Sequence, residues 1–296
     1  MKQQEHQENW PTISIVTPSL NQSQFLDQTI HSVLSQNYPS LEYIIVDGGS
    51  TDGSLEVIKN QAKNLAYWCS EEDQGHYHAV QKGFAHSSGE IMAWLNSDDL
   101  YCPWALKTVG SIFRRFPEVN WITTLNQFFW NKDGHCTFIK QLAGFSAHAF
   151  ADGENGYFGA TETGFIQQES TFWRRSLWDQ VGGLDLSYEL AADFDLWSRF
   201  FERTTLYGVY SPLAGFRIHD SNRSSDKQAY SKEVHKVLEI FRRTNPHFTK
   251  RYRSRIRHLV RKIPGLRKHR LFYSSNNIYR SSQEDGDEWL IRKIKF

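Results

Sequence analysis

The sequence has few of the residues that mark secreted, disordered or fibrous proteins. Its 296 residues include three cysteines and eight prolines. Cys69, Cys102 and Cys136 are widely spaced and form no CxxC pair, which argues against a disulfide framework or a structural zinc site and predicts reduced thiols. A chain that is 39% hydrophobic and 15% aromatic is neither disordered nor collagen-like. The composition is that of a globular protein with one large domain or two small ones.

Long apolar runs are also missing. No stretch approaches the roughly 18 uninterrupted apolar residues that a membrane helix needs. The first ten residues, MKQQEHQENW, lack the apolar segment of a signal peptide. We therefore expect a cytoplasmic protein that neither spans a membrane nor is secreted.

Two glycine-rich phosphate-binding motifs are absent. There is no GxGxxG after the first predicted strand and no GxxxxGK[ST] anywhere in the chain. A protein of this type that binds phosphate must neutralise its charge in another way. A divalent cation held by acidic side chains is the obvious substitute.

The net charge of +1 hides an asymmetry along the chain. Residues 1–241 hold 18 basic and 29 acidic side chains, a balance of −11, whereas residues 242–280 hold thirteen basic and no acidic ones. In the basic stretch an apolar stripe recurs at helical spacing, at Phe248, Tyr252, Ile256, Leu259, Val260 and Ile263. Such a helix suits an anionic membrane surface, and the alternative is a helix that packs its stripe on the rest of the chain. Nucleic acid would be favoured by charge alone, and we expect none.

Strands and helices alternate along the sequence. In the first hundred residues ISIV, LEYIIV, LAYWCS and EIMAWLN have strand patterns, and helical patterns separate them. The second half adds a predicted helix over 104–116, a hairpin that turns at 132–134, a long loop over 146–164 and a helix over about 189–203. The alternation predicts an α/β fold, with a mostly parallel central sheet flanked by helices.

Polar clusters follow three of the predicted strands. Thr17 and Pro18 lie at the end of the first, Asp47 at the end of the second, and the pair Asp98 and Asp99 after the fourth. Ligands of such sheets bind at the carboxyl ends of the strands, so we expect the three clusters at one edge. Adjacent carboxylates there suit Mg²⁺ or Mn²⁺ bound to a diphosphate. The alternatives are an acidic pair that caps the next helix, and for Asp47 a turn residue.

Four segments, in this order, resemble glycosyltransferase family 2, which has the glycosyltransferase A fold. They are SIVTPSLNQSQFLDQTIHSVLSQNYPSLEYIIVDGGSTDGS, EEDQGHYHAVQKGFAHSSGEIMAWLNSDD, QESTFWRRSLWDQVGGLD and AADFDLWSR. The resemblance covers residues 13–224. It implies a catalytic domain over 1–224, with a nucleotide-binding half (13–100) and an acceptor half (101–224), followed by a basic helical region over 225–296.

The resemblance also implies roles on the donor side. The nucleotide would be bound by Thr17, Pro18, Asp47, Lys82 and Asp98. A cation, Mg²⁺ or Mn²⁺, would be bound by Asp99 as the principal ligand and by His219. For His219 the alternative is an ordinary structural hydrogen bond at a strand end.

On the acceptor side, the family's inverting reaction needs a base, which matches Asp193. A sugar hydroxyl is a poor nucleophile, so a carboxylate must take its proton as the oxygen attacks the anomeric carbon. Asp193 and Asp195 are two positions apart on a helix, so only one can face the cleft. The alternative for Asp193 is a first-turn acid that interacts favourably with the helix dipole. Gln168 matches a position on the acceptor or sugar side, although a polar residue before a strand needs no function.

One segment departs from the family. Where its members usually have Asp and Asn in DAxNKG, this chain has His78 and Gln81, while Lys82 and Gly83 remain. A negative group beside the donor is thereby replaced. The identity of the donor sugar therefore cannot be carried over from the family.

These observations predict an inverting, metal-dependent glycosyltransferase. It would transfer a sugar from a nucleotide-diphosphate sugar to a hydroxyl of a glycan or lipid-linked acceptor in cell-surface polysaccharide synthesis, at the inner face of the plasma membrane. One alternative is a sugar nucleotidyltransferase, although the usual Gly-rich, Lys-containing loop is missing. Another is a non-catalytic nucleotide-sugar-binding partner, against which Asp98, Asp99 and Asp193 argue.

Overall fold

The structure is a computed structural model that describes residues 9–155, 164–220, 222, 226–249, 273–283 and 286–296. The strands of these residues are β1 (Ile13–Ser19), β2 (Leu41–Asp47), β3 (Tyr67–Ser70), β4 (Ile91–Trp94), β5 (Leu100–Tyr101), β6 (Trp121–Thr124), β7 (Asn126–Trp130), β8 (Cys136–Gln141), β9 (Phe172–Arg174), β10 (Tyr207–Val209), β11 (Ala214–Arg217), β12 (Ser274–Gln283) and β13 (Gly286–Lys295). The α-helices are α1 (Ser23–Leu34), α2 (Ser54–Gln61), α3 (His76–Ala85), α4 (Ala105–Arg115), α5 (Ala147–Ala151), α6 (Arg175–Val181), α7 (Ala192–Arg203) and α8 (Lys227–Thr244).

A nine-stranded sheet forms the centre of the fold. Its strand order is β13-β12-β10-β6-β9-β4-β1-β2-β3. The neighbours in β4-β1-β2-β3 and in β6-β10-β12 run parallel. Strand β9 runs antiparallel between β4 and β6, and β13 is antiparallel to β12. The predicted α/β fold with a mostly parallel sheet is confirmed.

Apolar residues cover both faces of this sheet. Neighbouring residues of one strand point to opposite faces, so Ile15 and Ile45 join one core cluster and Val16 and Val46 the other. The second cluster contains four fully buried tryptophans, Trp94, Trp121, Trp173 and Trp197. Much of the aromatic content therefore serves the core rather than a ligand.

A smaller sheet brings distant segments to the end of β4. Its strand order is β5-β11-β7-β8, and β7 and β8 form the predicted hairpin. Strand β5 begins directly after Asp99, and β11 pairs with it through Gly215 opposite Leu100. The residues that follow β11, including His219, are thereby carried to the acidic pair.

The C-terminal region differs from the helical prediction. Helix α8 is present and buries Val234, Val237, Leu238 and Phe241. Residues 274–295, however, form the β12–β13 hairpin, and β12 extends the main sheet by pairing with β10. The helical prediction for 225–296 is thus corrected at its end, where Ile278 is fully buried.

Other expectations fall partly outside the described residues. Most of the predicted apolar stripe, from Tyr252 to Ile263, lies outside them, as does residue range 156–163 of the predicted long loop. The described start of that loop forms α5, capped by the Ser146 hydroxyl, which accepts from the Ala149 N–H at 3.1 Å. Among the described helices, none is both long and apolar enough to cross a membrane. All three cysteines are described, and each is a free thiol.

Candidate active site

A cavity of about 460 Å³ lies at the carboxyl ends of β1 and β4. The first half of the chain lines it with Pro18, Ser19, Gln22, Asn96 and Asp98, among others. The second half adds Gln168, Glu169, Asp193, Asn222 and Tyr230. Its volume falls in the range of small-molecule sites. The predicted edge of the sheet is therefore where both halves of the chain meet.

The donor-side residues Asp98 and His219 are in contact. His219 Nε2 lies 2.9 Å from Asp98 Oδ2. The imidazole packs against Phe25 with ring centroids 4.6 Å apart, and its backbone N–H donates to Asn222 Oδ1 at 2.8 Å. Two predicted site residues that are distant in sequence are thus held together beside the cavity, which Asp98 lines and His219 does not.

Asp99 lies behind this pair rather than in the cavity. Its side chain is 1% exposed, Oδ1 accepts from the Arg217 N–H at 2.8 Å, and Oδ2 accepts from Asn96 Nδ2 at 3.1 Å. Burial, with Asp98 and Glu169 nearby, raises the pKa of Asp99 well above its ordinary value. Contrary to the expectation that Asp99 is the principal metal ligand, the carboxylate that lines the cavity is that of Asp98. Asp99 instead braces the turn that presents Asp98.

Asp193 also lines the cavity and lies in the first turn of α7. The segment before it is anchored by Glu233 of α8, whose carboxylate accepts from the N–H groups of Glu189, Leu190 and Ala191 at 3.1, 2.9 and 2.8 Å. A carboxylate in the first turn of a helix is also stabilised by the helix dipole. The Asp193 side chain is thus presented to the cavity from a helix start that Glu233 holds in place.

Asp195 has a different environment. Its Oδ2 pairs with Arg199, 2.7 Å from Nη2, one turn along the same helix. Burial raises the pKa of Asp195, and Arg199 offsets part of that rise. Asp195 does not line the cavity, so the expectation that only one of the two acids faces it agrees with the structure.

Three residues predicted to bind the nucleotide do not line this cavity. The Thr17 hydroxyl bonds to the Tyr43 hydroxyl at 3.0 Å inside the core. Asp47 Oδ2 accepts from the Ser50 N–H at 2.9 Å and the Ser70 hydroxyl at 2.7 Å, which stabilises the turn after β2. Lys82 pairs with Glu71.

Gln81, at the position that departs from the family, also has a structural contact. Its Oε1 accepts from the Leu184 N–H at 3.2 Å. The contact ties α3 to the loop after α6. Gln81 does not line the cavity.

The structure adds site residues that sequence reasoning missed. Four buried side-chain atoms that have no hydrogen-bond partner belong to residues that line the cavity: Ser19 Oγ, Gln22 Oε1, Asn96 Oδ1 and Glu169 Oε1. Buried polar atoms without partners are rare in folded proteins. Four around one cavity point to a polar ligand. Each residue sits within a motif already singled out, but spacing alone could not tell which members face a common space.

Gln168 and Glu169 lie side by side in a short 3₁₀ turn before β9. Gln168 Nε2 donates to the Trp94 carbonyl at 2.6 Å. Part of the hydrogen-bonding capacity of this predicted acceptor-side residue is therefore used by the backbone of β4. Burial, with contributions from Asp98 and Asp193, raises the pKa of Glu169 to about 8. Glu169 is therefore largely uncharged at neutral pH.

The charges around the cavity favour a cation. Besides the largely uncharged Glu169, the described lining contains the acids Asp73, Asp98 and Asp193 but no lysine or arginine. The Asp98 carboxylate and Asn96 Oδ1 are oxygen donors of the kind that Mg²⁺ and Mn²⁺ prefer, and the His219 imidazole is compatible with Mn²⁺. Within the described ranges no three His, Cys, Asp or Glu side chains form a ready metal site. The donor set fits an ion that phosphate oxygens and water help to coordinate.

Comparisons of sequence with known proteins cover part of the chain. Residues 14–141 match the family model of Glycosyl transferase family 2. An uncharacterized glycosyltransferase of Mycobacterium tuberculosis is 29% identical over 184 residues, covering 62% of this chain and 66% of that relative. The putative teichuronic acid biosynthesis glycosyltransferase TuaG of Bacillus subtilis is 38% identical over 97 residues, covering 31% of this chain and 38% of TuaG. The chain thus spans less than two thirds of the length of either relative.

Solved structures share the fold over a longer stretch. TarS of S. aureus in complex with UDP-GlcNAc superposes with a TM-score of 0.61 at 12% identity, over 78% of this chain and 66% of that one. The mannosyltransferase PcManGT from Pyrobaculum calidifontis, in complex with GDP-Man and Mn²⁺, gives a TM-score of 0.54 at 12% identity, over 88% and 84%. At this identity the likeness shows the fold alone.

Proposed function

Residues 14–141 match glycosyl transferase family 2, and the chain has the glycosyltransferase A-type fold. From these two findings we propose that it is an inverting glycosyltransferase. It transfers a sugar from a nucleotide-diphosphate sugar to a hydroxyl of a glycan or lipid-linked acceptor. One observation carries the proposal. Asp98 and Asp193, from the two halves of the domain, line the same cavity.

In this proposal Asp193 is the base. Its carboxylate takes the proton of the acceptor hydroxyl as the hydroxyl oxygen attacks the anomeric carbon from the face opposite the nucleotide. The bond from the anomeric carbon to the diphosphate oxygen breaks, and the diphosphate leaves with that electron pair. The fixed start of α7 supports the role, because a base must be held within hydrogen-bond reach of the proton that it takes.

The nucleotide-diphosphate occupies the end of the cavity near β1 and β4. Ser19 and Gln22 offer unpartnered oxygens to the nucleoside, and Asp98, Asn96 and His219 would hold Mg²⁺ or Mn²⁺. When bound, the cation supplies positive charge to the diphosphate leaving group. The absence of lysine and arginine from the described lining supports this division of roles. Asp99 then supports the Asp98 turn rather than serving as the principal ligand.

Donor and acceptor are proposed only as classes. TarS is described with UDP-GlcNAc and PcManGT with GDP-Man, so uridine and guanosine nucleotides are the first donors to test. The name of TuaG refers to teichuronic acid, which supports a role in cell-surface polysaccharide synthesis. A peripheral position at the inner face of the membrane remains a prediction from residues 242–280, most of which lie outside the described ranges.

A panel of UDP- and GDP-sugars tests the proposal. In the presence of Mn²⁺, one donor should raise the melting temperature and undergo slow hydrolysis, because a ligand that binds only the native state stabilises it. Proton NMR of the transfer product should show an anomeric configuration opposite to that of the donor. A retained configuration would contradict the inverting mechanism.

The same panel, extended by nucleoside triphosphates with sugar phosphates, separates the two alternative functions. Binding without hydrolysis or transfer to any acceptor would favour a non-catalytic partner of a glycan assembly complex. Release of pyrophosphate from a nucleoside triphosphate and a sugar phosphate would favour a nucleotidyltransferase.

A further inference from the structure

Glu169 is a buried acid that the roles above do not use. Its side chain is 2% exposed, and it lines the cavity that also contains Asp98 and Asp193. Oε1 has no hydrogen-bond partner. A buried polar atom without a partner destabilises the fold, so its presence at a cavity calls for an explanation.

The position of Glu169 relates it to both ends of the cavity. Its 3₁₀ turn contacts β4, which leads to Asp98, and β11, which leads to His219. The negative charges of Asp98 and Asp193 both act on the Glu169 carboxyl group. Glu169 is therefore close enough to interact electrostatically both with Asp98, at the proposed diphosphate end of the cavity, and with Asp193, the proposed base.

The group that must occupy this region is the transferred sugar. Attack from the Asp193 side on a carbon whose leaving group lies at the Asp98 side requires the sugar ring between the two acids. We propose that Glu169 Oε1 hydrogen-bonds to a hydroxyl of the donor sugar and so contributes to donor selection. The inference rests on the proposed function.

The chemistry of the side chain suits a hydroxyl. With a pKa raised to about 8, the carboxyl group is largely protonated at neutral pH. A protonated carboxyl both donates and accepts hydrogen bonds, as a sugar hydroxyl does. A lysine or arginine at this position would instead prefer an anionic sugar.

The test compares each nucleotide sugar with its own nucleoside diphosphate. Isothermal titration with Mn²⁺ gives Kd for UDP and UDP-GlcNAc, and for GDP and GDP-mannose. The ratio of the two Kd values within a pair isolates the contribution of the sugar. We expect Glu169→Leu to shift this ratio about tenfold against the nucleotide sugar, since a hydrogen bond to the sugar is lost, while Kd for the diphosphate stays unchanged.

Two further variants keep the result interpretable. Glu169→Gln keeps hydrogen-bonding capacity and should shift the ratio by less than Glu169→Leu. Glu154→Gln replaces another buried acid, 3% exposed and outside the cavity lining, and should leave the ratio unchanged. The melting temperature of Glu169→Leu should equal or exceed that of the wild type, which separates a binding effect from unfolding.

An unchanged ratio in Glu169→Leu would overturn the inference while leaving the proposed function intact. If the wild type binds none of the four nucleotides, the proposed function fails, and this inference fails with it.

Discussion

The hydroxyl of Tyr77 donates to the Leu190 carbonyl at 2.8 Å and lies 3.3 Å from Oδ1 of Asp193. Tyr77 belongs to α3, in the first half of the chain, whereas Asp193 lies in the first turn of α7, in the second half. The same segment before Asp193 is held from a third direction by Glu233. The proposed base is therefore oriented by contacts that also join the two halves of the domain.

Tyr77→Phe removes the hydroxyl but keeps the ring. We expect kcat to fall about tenfold with little change in KM for the donor, because the segment before Asp193 loses the hydrogen bond that holds its Leu190 carbonyl while the donor contacts remain. Tyr188→Phe, at a buried tyrosine outside the cavity, is the matched control. A kcat equal to that of the wild type would show that Tyr77 does not orient the base.

Asp193→Asn should separate binding from catalysis. The amide cannot take a proton, so transfer should drop about a hundredfold or more while Kd for the nucleotide sugar stays within a factor of about two. Single-turnover kinetics and titration calorimetry measure the two quantities. Asp195→Asn, two positions away in the ion pair with Arg199, should lower the melting temperature and leave transfer nearly unchanged. Wild-type transfer by Asp193→Asn would remove the base assignment.

Separate substitutions of Asp98 and Asp99 distinguish a metal ligand from a residue that only supports the turn. Asp98→Asn should weaken Mn²⁺-dependent nucleotide binding about a hundredfold, because its carboxylate lines the cavity, whereas Asp99→Asn should weaken it about tenfold or less. In Asp99→Asn the side-chain oxygen can still accept from the Arg217 N–H. Calorimetry with Mn²⁺ and either UDP or GDP measures the difference. The reverse order would restore Asp99 as the principal ligand.

Glu42 gives a prediction about stability away from the cavity. Burial raises its pKa, but hydrogen bonds from Ser14, Ser88 and Gly89 lower it by more, so the net pKa lies below the ordinary value of 4.5. A carboxyl group with a lowered pKa in the folded state stabilises that state above its unfolded pKa, and this contribution is lost as the pH falls through the folded value. Glu42→Gln should therefore lower the free energy of unfolding by about 1 kcal/mol at pH 7.

The difference between the wild type and Glu42→Gln should begin to narrow as the pH falls below about 4.5, and should close as the pH falls through the lower pKa of the folded state. Urea unfolding at pH 7 and pH 3.5 measures it. Glu72→Gln, at an exposed position in the loop after β3, should have no effect at either pH. A difference in unfolding free energy between the wild type and Glu42→Gln that does not change with pH would show that the charge of Glu42 contributes nothing to stability.

The sequence predicted the parts of this protein that depend on local pattern. Alternating apolar segments indicated the parallel sheet, and the rule that strand ends meet at one edge brought Asp98 and the segment after β1 together. Helix geometry predicted that only one of Asp193 and Asp195 faces the cavity, and the choice of Asp193 came from the resemblance to the family. These features depend on residues that are close in sequence or on topology common to all α/β folds.

What the sequence could not predict depends on contacts between distant segments. Asp99 turns inward because β11 offers it the Arg217 N–H, and that pairing of β11 with β5 is a tertiary event. Glu169 Oε1 lacks a hydrogen-bond partner because none of the segments packed around it supplies a donor or acceptor to that atom. The polar strand β12 is stabilised by the edge of β10 rather than by its own propensity.

The predicted membrane binding must be tested with a variant that keeps β12 and β13 in the main sheet. Removing the chain after residue 245 would delete β12 and β13 from the main sheet, with Ile278 and Phe296 from the interior, so loss of vesicle binding could result from unfolding. Substitution within the basic stretch avoids this. We expect replacement of four arginines by glutamine, at 251, 253, 255 and 257, to abolish flotation with vesicles that contain phosphatidylglycerol, because each basic residue near an anionic surface contributes about 1 kcal/mol.

The matched control replaces four exposed lysines elsewhere, at 63, 107, 232 and 293, by glutamine and keeps the net charge equal to that of the arginine variant. This control should float as the wild type does, and neither variant should bind pure phosphatidylcholine vesicles. Binding of the wild type to anionic vesicles should also weaken as salt rises from about 0.05 to about 0.5 M. Over roughly this range the electrostatic screening length falls from more than 10 Å to less than 5 Å. If the arginine variant floats with anionic vesicles as well as the control does, the basic stretch does not attach the protein to membranes. The apolar stripe would then be better explained by packing against the catalytic domain.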